Sequence, residues 1–270
     1  MNENYKQFIE DRFKIIDKDG VEVSLILNSV QAKYLTKDTI KRDIILKARQ
    51  QGFSSIILAR FTADFLLKEN SRSVVVADKS DNAIELLERV KMYIKFYEEI
   101  AQTKVPLKYN SKYELFNEAT NSKYSLGTAE NVEFGRSKTI TNLHLSEAAF
   151  YPHFRKLLAS ALQAVVPNGY AVIETTANGF NDFKSFWDES VLGETGFKPL
   201  FYKASDFYDT EFLEKKRGEL KNIFPQEYPE TAEEAFLTSG LCYFDKEALK
   251  VYISQATKPI NNNLIYVQTI

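Results

Sequence analysis

The hydrophobic positions change period repeatedly along the chain, short apolar runs giving way to stripes spaced three and four residues apart. Ile44 to Leu46 is one such run. After Gly52 the residues Phe53, Ile56, Ile57, Phe61 and Phe65 recur at helical spacing, so this stretch predicts strand, loop and helix. Upstream, "VEVSLIL" (21–27) predicts a short strand and "NSVQAKYLTKD" a short helix. "SVVVAD" (73–78) reads as a buried strand, with Ser80 and Asp81 as caps of a long helix reaching about Gln102. "YELFNEA" and "KYSLGTA" flank the turn-like "TNS" and predict a hairpin. "TNLHLSE" (141–147) is a further strand, followed by a helix from about His153 to Val165. "GYAVIETT" (169–176) is another, ended by "ANG" and followed by a helix near 181–192, and "FKPLFYKA" closes the series.

Strands alternating with helices imply an α/β fold with a largely parallel, twisted sheet covered on both faces. Such sheets bind ligands beyond the carboxyl ends of their strands. Three loops, 47–54, 146–151 and 175–179, are thereby expected in one crevice. After about residue 205 the chain becomes charged, helical and proline-punctuated, which suits a small lid or linker packed on the sheet. The expected division is a core with an N-terminal extension over 1–205, a lid or linker over 206–245, and the start of a connection over 246–270.

Composition narrows the chemistry. The 270 residues are 44% hydrophobic, enough for a substantial core, and no apolar run is long enough to span a membrane. The polar start "MNENYKQ" does not read as a signal peptide. A single cysteine, Cys242, excludes an internal disulfide framework, and with only His144 and His153 beside it a Cys/His metal cluster is not expected. Oxygen ligands for Mg²⁺ stay open. With 35 basic against 37 acidic residues, the charge balance argues against tight non-specific nucleic-acid binding by this chain alone.

The chemical signal begins in "LKARQQGFSS" (46–55). Lys47 and Gly52 have the spacing of the two glycines in a phosphate-binding loop, yet Phe53 stands where its lysine belongs. Backbone N–H groups at the start of the next helix, from Gln50 and Gln51 through Ser55, would face phosphate oxygens. Lys47 and Arg49 could supply the missing charge, and Ser54 falls where a hydroxyl would hold Mg²⁺. Glu147 follows an alternating apolar strand, at the point where an ATPase needs an acid to orient water. Ser146 takes the place of the usual metal-holding aspartate. Thr175 and Thr176 end the next strand, where hydroxyls could sense the γ-phosphate. Gln31 could pair with adenine, and Arg136, after Gly135, could offer its charge to phosphate from a tight turn. Each of these residues, taken singly, also suits an ordinary strand end, cap or surface. No G-x-G and no G-x-S-x-G occurs, so dinucleotide binding and the nucleophile elbow are not supported.

Taken in order, "KARQQGFS", "LHLSEAAFYP", "ETTANG" and "FPQEYPETAEEAFLTSG" resemble the large terminase subunit of tailed bacteriophages, over roughly residues 25–245. That resemblance implies a P-loop NTPase fold of the ASCE type, and an ATPase that drives double-stranded DNA into a procapsid with ATP and Mg²⁺. It implies Gln31 at adenine; Lys47, Arg49, Gln50, Gln51, Gly52, Phe53, Ser54 and Ser55 as a deviant Walker A loop; and Glu147 as catalytic glutamate. Thr175 and Thr176 become the coupling motif, Ser54 and Ser146 the metal side, and Arg136 an arginine finger. Ser146 departs from the common Asp-Glu pair. The implied partners are DNA, a portal protein and a small terminase subunit, with a homo-oligomeric ring when assembled, a monomer in isolation, and the infected host's cytoplasm as location. The family's nuclease acids would lie beyond residue 270. A helicase-like DNA-tracking ATPase and a nucleotide-binding module without hydrolysis are the alternatives.

Overall fold

The computed structural model describes residues 5–17, 19–35, 42–133, 138–237, 251, 252 and 255. Arg136 and most of the expected connection over 246–270 lie outside the described residues. An N-terminal helix α1 (Tyr5–Arg12) and a small antiparallel ribbon, β1 (Lys14–Ile16) with β2 (Glu22–Ser24), precede helix α2 (Ser29–Leu35). The core then runs β3 (Arg42–Lys47), α3 (Phe53–Leu67), β4 (Arg72–Ala77) and α4 (Ser80–Ala101). An antiparallel extension follows, β5 (Leu107–Asn110), β6 (Glu114–Asn117) and β7 (Ser122–Thr128), of which β6 and β7 are the expected hairpin. Next come β8 (Ile140–Ser146), α5 (Phe154–Ala164), β9 (Val165–Thr175), α6 (Asp182–Val191) and β10 (Lys198–Tyr202), then helices α7 (Thr210–Leu220), α8 (Phe224–Glu227) and α9 (Ala232–Leu237).

Eight strands form one sheet in the order β10-β3-β9-β8-β4-β7-β6-β5. All neighbours from β10 to β7 are parallel, and β7, β6 and β5 are antiparallel. Strand residues alternate between two cores, as the pleat requires. Ile44, Leu46, Val74, Val76, Leu143, Leu145 and Ile173 pack with Phe154 and Leu157 of α5 and Phe183 and Trp187 of α6. Ile45, Val75 and Val172 point the other way, against Ile56, Phe61 and Phe65 of α3 and Leu87 and Tyr93 of α4. This is the mainly parallel, doubly covered sheet that the alternating pattern predicts.

Several details differ from the pattern, and of the strand expected over 21–27 only Glu22–Ser24 forms. Helix α4 is capped at Lys79, without a side-chain cap bond, so Ser80 and Asp81 are its first-turn residues rather than its caps. Asp81 still lies where the helix dipole favours an anion. Strand β5 leaves no pattern, because its side chains beyond Leu107 are exposed and show no alternation. The segment after 205 also divides. Phe224 and Tyr228 form a small cluster with Ala48 and Ala204, joined by Tyr208, Phe212 and Leu213. Ala235 and Phe236 instead belong to the core under α5 and α6.

Register fixes where the loops emerge. Leu46 stands opposite Thr175, and Ser146 opposite Glu174. The carboxyl ends of β3, β9 and β8 therefore line up at one edge of the sheet, with α3 starting directly above.

A candidate nucleotide site at the strand ends

The loop between β3 and α3 is built on two left-handed residues, Gln50 (φ 58°) and Gly52 (φ 72°). Gly52 is the N-cap of α3, and no side chain caps the helix. The first turn of a fifteen-residue helix thus points its N–H groups and positive dipole end into the loop. Phe53 turns away from the loop, as its apolar character demands. It is fully buried, edge-on to Tyr34 and 4.4 Å from the ring centre of Tyr202. Gln51 is buried too, its amide donating to the Lys203 carbonyl at 3.0 Å. Ser55 accepts a hydrogen bond from Arg89 at 3.1 Å, which ties the first turn of α3 to α4.

Gln31 lies against the same loop. Its amide nitrogen donates to the Gln51 carbonyl at 2.9 Å, and its amide oxygen accepts the Asn28 N–H at 3.2 Å. A methyl group on Gly52 would come within 2.7 Å of that amide nitrogen. Gly52→Ala is accordingly expected to cost about 1–2 kcal/mol, since an L-residue is strained at positive φ, and to loosen Gln31 from the loop. Gly218→Ala on α7, where nothing stands within 4 Å, should instead stabilise by about 0.5–1 kcal/mol. Thermal unfolding of the two variants checks the contrast in sign.

Lys47 ends β3 and is buried. Its Nζ lies 3.1 Å from Glu147 Oε1 and 3.1 Å from Glu174 Oε2. Burial alone would pull the lysine pKa down, but the charges of Glu174 and Glu147 outweigh it and hold Lys47 above its ordinary value. Glu147 follows β8 in a left-handed conformation (φ 55°, ψ 45°), sparsely populated by residues with a side chain. Its Oε2 accepts the Thr176 N–H at 3.2 Å and lies 3.4 Å from the Thr175 hydroxyl. Its side chain remains 39% exposed, open to water. Thr175 also accepts the Ala149 N–H at 3.2 Å, coupling the end of β9 to the turn after Glu147.

Glu174 is the residue that the sequence pattern does not single out. It is fully buried on the α3 face of β9. Its Oε1 accepts Ser54 Oγ at 2.7 Å and Ser146 Oγ at 2.6 Å, with His144 Nε2 at 3.3 Å. Burial would raise its pKa, but Lys47 and then His144 and Ser146 hold it well below the usual carboxylate range. One signal is present: a carboxylate directly after "AVI" in a two-sided buried strand must find partners. Ser146, expected to face a metal through water, spends its hydroxyl on Glu174.

Arg49 faces the C-terminal helices. Its guanidinium, 60% exposed, meets Glu227 Oε2 at 2.9 Å, and its N–H donates to the Glu227 carbonyl at 2.8 Å. Tyr208 donates to the Arg49 carbonyl at 2.8 Å, and Gln226 to the Ala177 carbonyl at 3.1 Å. The segment 208–228 is thus hydrogen-bonded to both the 47–54 and 175–179 loops. Tyr208 carries no local signal that marks it, whereas Glu227 lies within the "FPQEYPETAEEAFLTSG" stretch.

The structure therefore gathers Gln31, Lys47, Gly52, Ser54, Glu147, Thr175 and Thr176 at one edge, with Ser146 beneath. The fold is that of the α/β P-loop NTPases, with β9 inserted between the loop strand β3 and the strand β8 that leads to Glu147. Solved large terminases share it. The large terminase ATPase domain of Thermus phage P74-26 matches with a TM-score of 0.60 at 19% identity, over 75% of this chain and 92% of that domain. The bacteriophage HK97 large terminase matches with a TM-score of 0.63 at 16% identity, over 82% of this chain and 52% of that protein. The large terminase of a thermophilic bacteriophage, solved in complex with ATP-γ-S, matches at 0.56 and 13% identity, over 74% of this chain and 51% of that one. No protein-family model and no curated protein matches the sequence. Among the described residues no helix is long and apolar enough to cross a membrane.

Proposed function

We propose that this chain is the ATPase motor domain of a phage DNA-packaging terminase, hydrolysing ATP to move double-stranded DNA into a procapsid in the infected host's cytoplasm. The observation that carries the reading is the meeting of Lys47, Glu147 and Ser54 at the uncapped start of α3, where three parallel strands end. The order of these residues along the chain, and the terminase structures that share the fold, support the same reading.

The reaction transfers a phosphoryl group to water. The loop amides and the α3 dipole bind phosphate, and Lys47 neutralises it. In the present arrangement Lys47 is shared by two carboxylates, so phosphate oxygens are its third anionic partner, and their arrival frees Glu147 Oε1. Glu147 then holds the attacking water, its other oxygen kept in place by Thr176 N–H. Through that bond the "ETTANG" strand feels the state of the site, and Gln226 passes it to 208–228. Gln31 and the buried Gln51 keep the loop in shape and stand beside the adenine subsite; Arg49 joins the loop to Glu227. The donor set fits Mg²⁺: the Ser54 hydroxyl is backed by an acceptor for its proton, and hard oxygen ligands suit this ion. Mg²⁺ would be held by Ser54 with Ser146 behind it, and supplies charge neutralisation on the phosphates.

Arg136 is assigned as a finger offered to a neighbour's nucleotide in a homo-oligomeric ring with portal protein and small terminase subunit as partners; the isolated chain is a monomer. Such an arginine is worth about 10³–10⁵ in rate. ATP turnover per chain should consequently rise with protein concentration, and a mixture of Glu147→Ala and Arg136→Ala chains should recover turnover that neither shows. Absence of hydrolysis at every concentration, with Mg²⁺ and ATP bound, would make the chain a nucleotide-binding assembly module. Unwinding of a forked duplex without a procapsid would make it a helicase-like translocase.

A further inference from the structure

We propose that Glu174 is the metal-side carboxylate of this site, taking over from β9 the role that Ser146 at the end of β8 has no charge to fill. The inference rests on the nucleotide-site reading above. In P-loop NTPases the cation is held jointly by the loop hydroxyl and a strand-end acid. At this chain's strand end the neighbouring strand supplies the only buried acid among the described residues that touches the loop hydroxyl. Glu174 stands opposite Ser146 in the β8–β9 register and opposite Ile45 in the β3–β9 register, so it lies between the loop strand and the strand of Glu147.

The hydrogen bonds have the polarity this role needs. A serine oxygen that offers a lone pair to a cation must place its proton elsewhere, and Ser54 places it on Glu174 Oε1 at 2.7 Å. Ser146, at 2.6 Å, donates to the same oxygen and so positions the carboxylate instead of replacing it. His144 adds a contact at 3.3 Å from the layer below. The second oxygen, Oε2, is buried and lies 3.1 Å from Lys47 Nζ without hydrogen-bond geometry. It is therefore the atom with spare acceptor capacity for a cation's water once Lys47 turns to phosphate. Outer groups of this kind order the water shell and orient the inner ligand.

The competing account is that Glu174 is only the counter-ion of Lys47. The two accounts separate on metal dependence. ADP affinity is measured for the full chain with excess Mg²⁺ and with chelator, and binding of Mn²⁺ to the ADP complex is followed by its paramagnetic resonance signal. In the wild type Mg²⁺ should tighten ADP binding. In Glu174→Gln that tightening, the ratio of the two affinities, should shrink by about 10–100-fold whatever happens to the chelator value itself. Adding Ser146→Asp to Glu174→Gln should restore it by returning an acid to β8. Glu174→Asp keeps the charge beside Lys47 but shortens the reach, so it tests the role even where the glutamine variant fails to fold; it too should lose metal dependence. Unchanged Mg²⁺ tightening in either variant overturns the assignment, as does an equal loss with and without metal. A wild type that binds no ADP under either condition overturns the nucleotide-site reading itself.

Discussion

Glutamine in place of Glu147 is expected to abolish most ATP turnover while ADP affinity stays close to wild type. The fall should be about 10²–10⁴ in kcat, the range supplied by a positioned general base. The geometry explains why so small a change has so large an effect. Both Glu147 oxygens face donors: Lys47 at one and Thr176 N–H at the other. An amide NH₂ turned toward either side confronts another donor, so the side chain loses its alignment as well as its basicity. Its left-handed backbone, φ 55°, is unaffected by the substitution, so the chain should fold normally. Single-turnover hydrolysis beside equilibrium ADP binding checks this, and turnover near the wild-type rate would remove Glu147 from the mechanism.

The second large effect concerns stability. Lys47→Met leaves Glu174 fully buried with its charge unmatched, and breaking a buried pair from one side costs about 3–5 kcal/mol. The hydroxyls of Ser54 and Ser146 soften the loss, which places the expected value near about 3 kcal/mol, or about 6–12 °C in Tm for a chain of this size. Phosphate binding should fall with it. Removing the orphaned charge as well, in Lys47→Met/Glu174→Gln, should recover much of the lost stability, because the pair is coupled. A double variant no more stable than Lys47→Met would show that the buried ion pair is not what the lysine secures. Whatever its stability, the double variant should stay deficient in phosphate binding, since nothing replaces the lysine's charge.

Much of this could be read from residue patterns. The switch from short apolar runs to helical spacing located β3, α3, β4, α4, β8, β9 and β10, because burial on two faces demands continuous apolar strands and burial on one face demands a stripe. Phe53 could be assigned to the core because a large apolar ring at the first position of an amphipathic helix has nowhere else to go. The antiparallel strand β5 left no pattern, its side chains beyond Leu107 being exposed, and the first helix, with Ile9 as its one buried residue, left only a weak one. Sequence proximity alone groups Arg49 with Lys47. One residue further on, the backbone turns through a left-handed Gln50, and the guanidinium pairs instead with Glu227, 178 positions away.

Local sequence thus determined the elements, the left-handed loop that requires Gly52, and the acid placed after β8, all consequences of side-chain size, period and backbone freedom over a few residues. Strand order was not written in any local stretch. Inserting β9 between β3 and β8 depends on which buried faces fit together across the whole domain. That insertion carries Glu174 into the space between Lys47, Ser54 and Ser146, where a carboxylate that looked like an odd strand residue becomes the centre of the charge network.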